Sequence, residues 1–288
     1  MSRTTLHREQ ARYFAGANEA RFAWQTANSI IGKRELSLLE AALTAWPEEG
    51  WVVEIGAGEG ANLFHLVRHT THHHGRGNSL WHQPRCLAID AVYEKAAFAQ
   101  RAQPNHVRGL CADAFHLPLR SGCTTLVIIR DLLHHVETPL GILKEVARVL
   151  QPGGNLIVIE PNGRNPLMAL FAIAQPAERR MLRSTPEWLY NLLKQSGGFS
   201  GPMVHGADPF PLTRVVCHYQ YGAKRLASSR FGYWLGRCEM RVGSLLPRSW
   251  WAYIVVRCRR MPSSLPEPLA PTPHTAAEST DRESAART

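Results

Sequence analysis

The sequence lacks paired cysteines, long apolar runs and an apolar N-terminal segment. Its six cysteines form no C-x-x-C pair, so neither a disulfide framework nor a zinc site is predicted, and a reducing compartment is favoured. No apolar run is long enough to cross a bilayer, and charged side chains occupy the region where a signal peptide has its apolar core. We therefore expect a cytoplasmic protein without a signal peptide or a membrane-spanning helix.

Acidic side chains are scarce in the C-terminal third. Between residues 201 and 260, ten lysines and arginines are opposed only by Asp208 and Glu239, so the excess positive charge lies in this segment. Such a field attracts anionic lipid, nucleic acid or an acidic substrate, although basic surfaces also serve solubility alone. Aromatic clusters at 231–234 and 250–253 accompany the arginines. Peripheral contact with a membrane surface is one interpretation of these clusters, and burial in the core is the other.

The order of apolar segments predicts alternating strands and helices. Short apolar runs bounded by turn residues are typical of strands, and segments with helical spacing lie between them. The predicted strands are 51–55, 85–90, 106–113, 124–130, 155–160 and a late one in 249–260; the predicted helices are 29–46, 91–102, 186–195 and one with Thr138 as N-cap and Pro139 in its first turn. This alternation predicts a doubly wound α/β fold.

A glycine-rich loop joins the first predicted strand to a helix. Gly56, Gly58 and Gly60 allow close approach to the backbone, and the N–H groups of such a loop can meet an anionic or carboxylate-bearing ligand. The pattern is ambiguous by itself, because Gly56, Gly58 and Ala61 also fit the dinucleotide-binding pattern G-x-G-x-x-G/A. The loop predicts a ligand site without identifying the ligand.

Charged residues stand at the ends of the predicted strands. Glu54 lies near the end of the first strand, Asp90 ends the second, Asp113 ends the third, and Arg130 and Asp131 close the fourth. Open α/β sheets bind ligands beyond the carboxyl ends of their strands. We expect Asp90 to accept hydrogen bonds from ribose hydroxyls, Asp113 to meet an adenine amino group, and Glu54 to lie near a ligand's ammonium group.

Five motifs in a fixed order resemble class I S-adenosylmethionine (SAM)-dependent methyltransferases. They are the loop E-I-G-A-G-E-G, the strand-ending Asp90, the segment Cys111–Ala114, the segment L-L-H-H-V at 132–136 and the turn Q-P-G-G. The nearest group is the small-molecule "type 11" family, which includes quinone-biosynthesis enzymes, and the resemblance covers residues 50–165. It implies SAM as cofactor and a seven-stranded Rossmann-like sheet with helices on both faces. The implied sheet ends in an antiparallel hairpin whose last strand lies in 249–260.

The resemblance also implies roles for the cofactor-binding residues. In this family the glycine loop holds the methionine part, the acid after the second strand holds the ribose, and the acid after the third holds the adenine. These roles fall on Gly56, Ala57, Gly58 and Gly60, on Asp90, and on Asp113 with Ala114, and Glu54 and Arg130 complete the predicted set. The 30 residues from Gly60 to Asp90 exceed the usual gap in the family, and a helix N-cap is the alternative role for Asp90.

The candidate catalytic residues follow the fourth strand. Methyl transfer needs orientation, and it needs a base only when the acceptor must lose a proton. His134 and His135 are the candidate bases, since imidazole titrates near neutral pH, with packing of the loop as the alternative role. Asp131 is a third candidate, and Glu160 and Asn162 are predicted to line the acceptor pocket. No metal is predicted, because the histidines of 69–82 lack a regular ligand spacing.

The predicted organisation is one catalytic domain with extensions. We expect an N-terminal helical lid over 1–48, a methyltransferase domain over 49–260 in which 161–247 covers the substrate, and a disordered tail over 261–288 that is rich in Pro, Ser, Thr, Ala and Glu.

The predicted function is methylation of a small, lipophilic acceptor at an O, N or C atom. No DNA partner is expected, and RNA is disfavoured because the N-P-P-[YF] tetrad of many base methylases is absent. Two alternatives stay open. A nicotinamide-dependent oxidoreductase would place its ribose acid about 20 residues beyond the loop and would need a Tyr/Lys-type pair, and neither is evident. A non-catalytic protein that keeps the fold is the other alternative.

Overall fold

A computed structural model describes residue 16 and residues 18–43, 50–73, 85–220 and 222–262. Nearly all of the predicted tail, the first part of the predicted N-terminal lid and most of the histidine-rich segment lie outside these residues. Within the described residues, no helix is both long and apolar enough to cross a membrane.

Seven strands form one mixed sheet. They are β1 (Trp51–Ile55), β2 (Arg85–Asp90), β3 (Val107–Cys111), β4 (Thr124–Arg130), β5 (Leu150–Pro161), β6 (Phe199–Ala207) and β7 (Tyr253–Arg260). The spatial order is β3-β2-β1-β4-β5-β7-β6, and the first five strands are parallel while β7 runs antiparallel to both neighbours. The strand order reverses between β1 and β4, and this switch point is where doubly wound sheets bind ligands. The predicted fold class and terminal hairpin are confirmed.

Nine α-helices lie within the described residues. They are α1 (Glu19–Thr26), α2 (Ile30–Ala42), α3 (Ala61–His73), α4 (Tyr93–Ala102), α5 (Pro139–Val149), α6 (Pro166–Ala174), α7 (Pro186–Ser196), α8 (Leu212–Val216) and α9 (Arg230–Gly243). Short 3-10 turns occupy Leu133–His135, Pro176–Arg183, Lys224–Ser228 and Arg248–Trp250. The connections between the parallel strands are too long for hairpins, and helical crossovers are the usual way to join such strands.

The central strands are apolar on both faces, which is why the sheet carries a hydrophobic core on each side. Successive residues of β1 alternate between the two cores, with Val53 and Ile55 in one and Val52 in the other. Helices α5 and α7 supply Leu143 and Leu189 to the first core. The parallel pairing register, with Ile55 beside Ile89 and Ile129, brings the carboxyl ends of these strands to one edge of the sheet.

Several elements differ from the sequence prediction. Strand β6 and helix α6 were not predicted, because Gly201 and Pro202 interrupt the β6 sequence and α6 is too uniformly apolar to show a helical period. Thr138 precedes α5 but makes no side-chain capping bond. The late strand begins at Tyr253, and the residues before it form a 3-10 turn.

Helix α2 is tied to the C-terminal region through buried charges. The Nη1 of Arg34 lies 2.6 Å from Glu239 and 3.1 Å from Asp208. Its neighbour Glu35 pairs with two further arginines. One is Arg130, whose Nη1 lies 2.7 Å from the Glu35 carboxylate, and the other is Arg214. We call these six residues the α2 ion cluster. Asp208 and Glu239, the two acids of the 201–260 segment, are therefore both engaged in buried ion pairs.

Candidate active site

A cavity of about 280 Å³ lies at the switch point of the sheet. Its walls come from the ends of β1, β2 and β4, the turn after β3, the glycine loop and helix α1. The lining includes all but one of the predicted cofactor residues and two of the three predicted catalytic residues: Glu54, Gly56, Ala57, Gly58, Asp90, Asp113, Ala114, Arg130, Asp131 and His135. Gly60 and His134 are not part of the lining.

The glycine loop contributes open space to the cavity, because its first three N–H groups are already hydrogen-bonded within the protein. The N–H groups of Gly56 and Ala57 donate to the carbonyl of Ile89, at 2.8 and 2.9 Å, and that of Gly58 donates to Asp90 at 2.9 Å. The expectation that these N–H groups meet the ligand therefore does not hold for the three of them. All three glycines have positive φ, and a Cβ on Gly58 would meet no atom within 4 Å. Beside this residue the open space belongs to the cavity.

Asp90 links the end of β2 to the glycine loop. One carboxylate oxygen accepts from the Gly58 N–H and the other from the Val92 N–H, each at 2.9 Å. Val92 is the N-cap residue of α4, so Asp90 does not cap that helix. Each carboxylate oxygen accepts more than one hydrogen bond, which leaves Asp90 capacity for hydroxyl donors in the cavity.

Asp113 and Ala114 line the cavity from the turn after β3. Asp113 is exposed, and one of its carboxylate oxygens accepts from the N–H of Phe115 at 2.9 Å. This hydrogen bond closes the turn after β3, and Asp113 lines the cavity from that turn. Phe115 also lines the cavity, and the motifs quoted from the sequence did not include it.

Glu54 and Arg130 meet through Asn62, a residue that the sequence analysis missed. Asn62 donates to Glu54 at 2.5 Å and accepts from Arg130 at 2.8 Å. Burial raises the pKa of Glu54 to about 7, although the Asn62 hydrogen bond and the Arg130 charge partly oppose that shift. The second carboxylate oxygen of Glu54 is buried without a hydrogen-bond partner. A carboxylate in this state favours a cationic partner.

His134 is enclosed between two carboxylates. Its Nδ1 lies 2.6 Å from Glu160 and its Nε2 lies 3.4 Å from Glu178, and the residue is 1% exposed. Burial alone would lower the pKa of His134, but the two carboxylates outweigh it and raise the pKa to about 10. A protonated ring with both nitrogens engaged has no lone pair to accept a proton. This geometry argues against the predicted role of His134 as a base.

His135 faces the cavity in the opposite protonation state. Burial and the adjacent positive charge of His134 lower the pKa of His135 to about 4, so its ring is neutral near pH 7. The two rings lie 3.9 Å apart, centroid to centroid. Asp131 lines the cavity beside them with a positive φ of 49°. Nitrogen and oxygen atoms of His134, His135 and Glu178 lie within 4.8 Å of one another, and ion pairing of His134 with the acid accounts for their proximity.

Glu160 and Asn162 do not line the cavity, contrary to prediction. The Glu160 carboxylate accepts from the N–H groups of Leu132 and Leu133, at 2.9 and 2.7 Å. Asn162 donates to the carbonyls of Ser249 and Trp251, both at 2.8 Å. Both side chains are fully buried. Their role is to position the turn after β4 and the turn before β7.

Helix α1 supplies residues from the predicted N-terminal lid. Arg21 and Gln25 line the cavity, as does Lys95 of α4. No motif in the sequence marked these residues, because their place in the site depends on how α1 docks on the sheet edge. The backbone N–H of Asn18, the N-cap of α1, donates to the carboxylate of Glu59 in the glycine loop at 3.0 Å.

Comparisons with known proteins point to one family. Residues 53–158 match the family model described as "Methyltransferase domain". An uncharacterised 37.1 kDa protein in transposon TN4556 of Streptomyces fradiae is 28% identical over 162 residues, which cover 55% of this chain and 44% of that protein. The malonyl-[acyl-carrier protein] O-methyltransferase of Marinomonas sp. (strain MWYL1) is 24% identical over 160 residues, which cover 54% and 53% of the two chains. The chain thus matches about half the length of these curated relatives.

A solved structure shares the fold. Phosphoethanolamine N-methyltransferase 2 of Haemonchus contortus, determined with SAM, superposes with a TM-score of 0.58 at 14% identity, covering 84% of this chain and 56% of that one. The matched segment 53–158 spans β1 to β5 and contains Glu54, the glycine loop, Asp90 and Asp113. Residues 53–158 are thus similar in sequence to a methyltransferase domain, and the described chain shares the fold of this structure.

Proposed function

We propose that the protein is a SAM-dependent methyltransferase that acts on a small-molecule acceptor. The observation that carries the proposal is the pairing of Asp90 with Gly58 at the cavity wall. It places a carboxylate with spare acceptor capacity directly beside a glycine whose open side faces the cavity. A nucleoside ribose needs the first feature, and close approach of a bulky ligand to the backbone needs the second.

The residues present fit SAM. Asp90 would hold the ribose hydroxyls, Asp113 with Ala114 would hold the adenine end, and the unpartnered oxygen of Glu54 would face the ammonium group. Arg130, whose Nη2 is buried without a hydrogen-bond partner, lies on the same side of the cavity. When bound, SAM supplies a methyl group on an electrophilic sulfonium.

His135 and Asp131 are the chain's polar groups at the acceptor end of this proposed site. The neutral ring of His135 can accept a hydrogen bond, and then the proton, from a hydroxyl or amine acceptor. Burial and, to a smaller extent, the protonated His134 beside it lower the pKa of His135 and keep the ring neutral. The carboxylates of Glu160 and Glu178 hold His134 and thereby the turn that carries His135. Orientation of the acceptor by these groups is the larger part of the catalysis that we expect.

The acceptor class follows from the surroundings of the cavity. Phe115, Leu132, Val136 and Ile142 give the cavity an apolar part of its lining, which supports the proposal of a small, lipophilic acceptor. The named relatives methylate an oxygen in one case and a nitrogen in the other, so the attacking atom of this chain's acceptor is left open. We further propose that α1 and the 161–247 segment cover the bound acceptor, and that the protein works in the cytoplasm, in peripheral contact with a membrane.

Calorimetric titration with SAM and its demethylated product S-adenosylhomocysteine tests the cofactor assignment. Asp90→Ala and Gly58→Val are expected to weaken binding at least about 100-fold, because each removes one half of the pairing that carries the proposal. Gly201→Val is the matched control: Gly201 has a similar φ of 59° and no atom within 4 Å of a built Cβ, but it lies in β6 at the far edge of the sheet.

The outcomes of this titration separate the candidate functions. Micromolar binding that is lost in the two site variants and kept in Gly201→Val supports the proposal. Absence of SAM binding by folded wild-type protein, together with tight binding of a nicotinamide dinucleotide, would overturn it in favour of an oxidoreductase. If SAM binds, transfer of a labelled methyl group to quinones, phenols and lipid amines identifies the acceptor. A protein that binds SAM and methylates nothing in an exhaustive panel would point to the non-catalytic alternative.

A further inference from the structure

Helix α9 has the reverse of the usual distribution of side chains. Its buried residues are Gly232, Gly236, Glu239 and Gly243, whereas surface helices normally bury their large apolar residues. Small residues suit this inner face because the neighbours are very close. A Cβ on Gly232 would lie 2.0 Å from the Leu226 carbonyl oxygen, and one on Gly236 would lie 2.8 Å from Ile30. The large side chains of α9 are therefore left on its outer side.

The outer side of α9 carries an apolar stripe. Phe231 and Trp234 are each 51% exposed, Val242 is 63% exposed and Leu245, just beyond the helix end, is 83% exposed. Their spacing, with Cys238 between them, follows the three- and four-residue steps that align side chains on one helix face. The rings of Phe231 and Trp234 contact each other at 5.6 Å between centroids. This is a contiguous apolar strip on the surface, which in soluble proteins commonly marks an interaction site.

Arginines flank the stripe, and the described stretch 222–262 has no exposed acid to oppose them. Arg230, Arg237 and Arg241 lie along one edge of it, all exposed, and the 3-10 turn that follows adds Arg248 and the 45% exposed Trp250. In the described stretch 222–262 the only acidic residue is Glu239, which is buried against Arg34. The outer surface of this stretch is therefore apolar and uniformly positive. We call Arg230, Phe231, Trp234, Arg237, Arg241, Val242, Leu245, Arg248 and Trp250 the α9 outer face.

We propose that the α9 outer face docks on an anionic lipid bilayer. Phenylalanine, tryptophan and leucine insert at the level of the headgroups, while arginines extend their charged ends to lipid phosphates. An anionic leaflet complements a surface whose exposed charges are all positive. The contact is peripheral, since the helix has a polar inner side bonded to the rest of the protein and is only 14 residues long.

The structure holds α9 firmly in this orientation. Glu239 bonds to Arg34 and to the N–H of Thr213, at 2.6 and 2.9 Å, so the inner side is anchored to α2 and α8. The turn around Trp250 is anchored as well, because the side-chain amide of Asn165 donates to the carbonyls of Trp250 and Pro209. A docking surface on a rigid support loses little conformational freedom on binding.

Sedimentation with sucrose-loaded vesicles tests this inference on the full chain without any cofactor. The probes are phosphatidylcholine vesicles with and without 30 mol% phosphatidylglycerol, a composition on the order of that of anionic cell membranes. We expect the wild type to bind the anionic vesicles and to be released by salt. Phe231→Ala combined with Trp234→Ala should reduce the partition coefficient at least about tenfold. Arg237→Gln combined with Arg241→Gln should remove the preference for anionic vesicles.

Two control variants make changes of the same kind at exposed positions away from α9. Tyr190→Ala removes an aromatic side chain that is 42% exposed on α7, and Arg108→Gln removes an exposed arginine on β3. Both should bind vesicles as the wild type does, and thermal unfolding confirms that every variant is folded. Equal sedimentation with and without vesicles would overturn the inference. A second result would also overturn the inference: a wild-type protein that has no vesicle affinity but forms a dimer by light scattering, with the dimer lost in the α9 variants. Because SAM titration is run on the same samples, failure of the docking surface and failure of the cofactor assignment are distinguishable.

Discussion

Glu35 and Glu54 are both fully buried, at 0% and 1% exposure, yet the protein treats them in opposite ways. In the α2 ion cluster, the charges of Arg130 and Arg214 outweigh the effect of burial and lower the pKa of Glu35 to about 2. At the cavity, burial raises the pKa of Glu54 to about 7, and the side-chain bond that opposes it comes from the neutral amide of Asn62. Arginines of the protein balance the negative charge of Glu35. The negative charge of Glu54 is balanced only in part, which leaves room for a cationic group of a ligand.

This difference separates a structural region from a binding region. Each carboxylate of the α2 ion cluster is paired with a buried arginine, so removal of a charge there should destabilise the fold. The cavity wall keeps an acid that is costly to ionise, which is typical of functional sites. The same chemical change, glutamate to glutamine, should therefore have opposite effects on stability in the two regions.

The largest expected effect is that of Glu35→Gln. The change leaves Arg130 and Arg214 buried without their counter-charge, so we expect the free energy of unfolding to fall by about 3–5 kcal/mol at pH 7. Urea denaturation measures it. Glu40→Gln on the same helix is the matched control, because its side chain is 47% exposed, and it should change stability by less than about 1 kcal/mol. Equally small effects of Glu35→Gln and Glu40→Gln on the free energy of unfolding would show that the α2 ion cluster stabilises the fold no more than an exposed carboxylate does.

Glu54→Gln should stabilise the protein in the absence of cofactor. The folded state retains the proton of Glu54 up to a pKa of about 7, whereas the unfolded chain releases it near the ordinary value of 4.5. Stability therefore falls as the pH rises through this interval, by up to about 3 kcal/mol above pH 7. The glutamine variant escapes this loss, so its advantage should be absent near pH 4 and complete at pH 8.

Thermal unfolding of the wild type and of Glu54→Gln across pH 4 to 8 measures this stability difference. A constant stability difference across that range would show that Glu54 does not carry the raised pKa. The same variant should bind SAM more weakly than the wild type, because it lacks the charge that faces the ammonium group. A gain in stability coupled to a loss of binding would confirm the cavity as the region where stability and ligand recognition conflict.

Glycines sharpen the comparison with a smaller effect. Gly232→Ala on α9 places a Cβ against a backbone carbonyl and should lower the free energy of unfolding by about 1–3 kcal/mol, with SAM affinity unchanged. Gly58→Ala meets no protein atom and costs only the strain of a positive φ, about 1–2 kcal/mol. Its main effect should be on SAM affinity. Calorimetric titration measures the SAM affinity of both variants, and urea denaturation measures their stability. Equal effects of the two changes on SAM affinity would contradict this assignment.

The smallest effect concerns His135. Because its pKa lies at about 4, NMR titration of ring resonances should find His135 neutral from pH 8 down to pH 5. Replacing His134 with Gln removes the adjacent positive charge and should shift the His135 pKa upward. A midpoint for His135 near 6.5 in the wild type would contradict the proposed state of this residue.

The alternation of strands and helices and most of the predicted residues that line the cavity followed from local sequence. Apolar runs predicted β1, β2 and β4 with their observed bounds, and the acids at the strand ends were predicted to converge because parallel strands share a carboxyl edge. Strand β6 could not be predicted, since its glycines and proline obscure the alternation and its stability comes from pairing with β7. His134 and His135 could not be told apart by sequence, because they are adjacent and only their neighbours differ.

Sequence by itself determined the class of fold and the residues Gly58, Asp90 and Asp113 at its switch point, because those features depend on short-range spacing and on the geometry shared by all parallel sheets. Only the tertiary structure decided which buried carboxylate is compensated, which histidine is neutral and which side of α9 faces outward. Each of those properties depends on groups distant in the chain, such as Glu178 beside His134 or Ile30 against Gly236. Electrostatic and packing effects act over a few ångströms in space, and a linear sequence does not specify those distances.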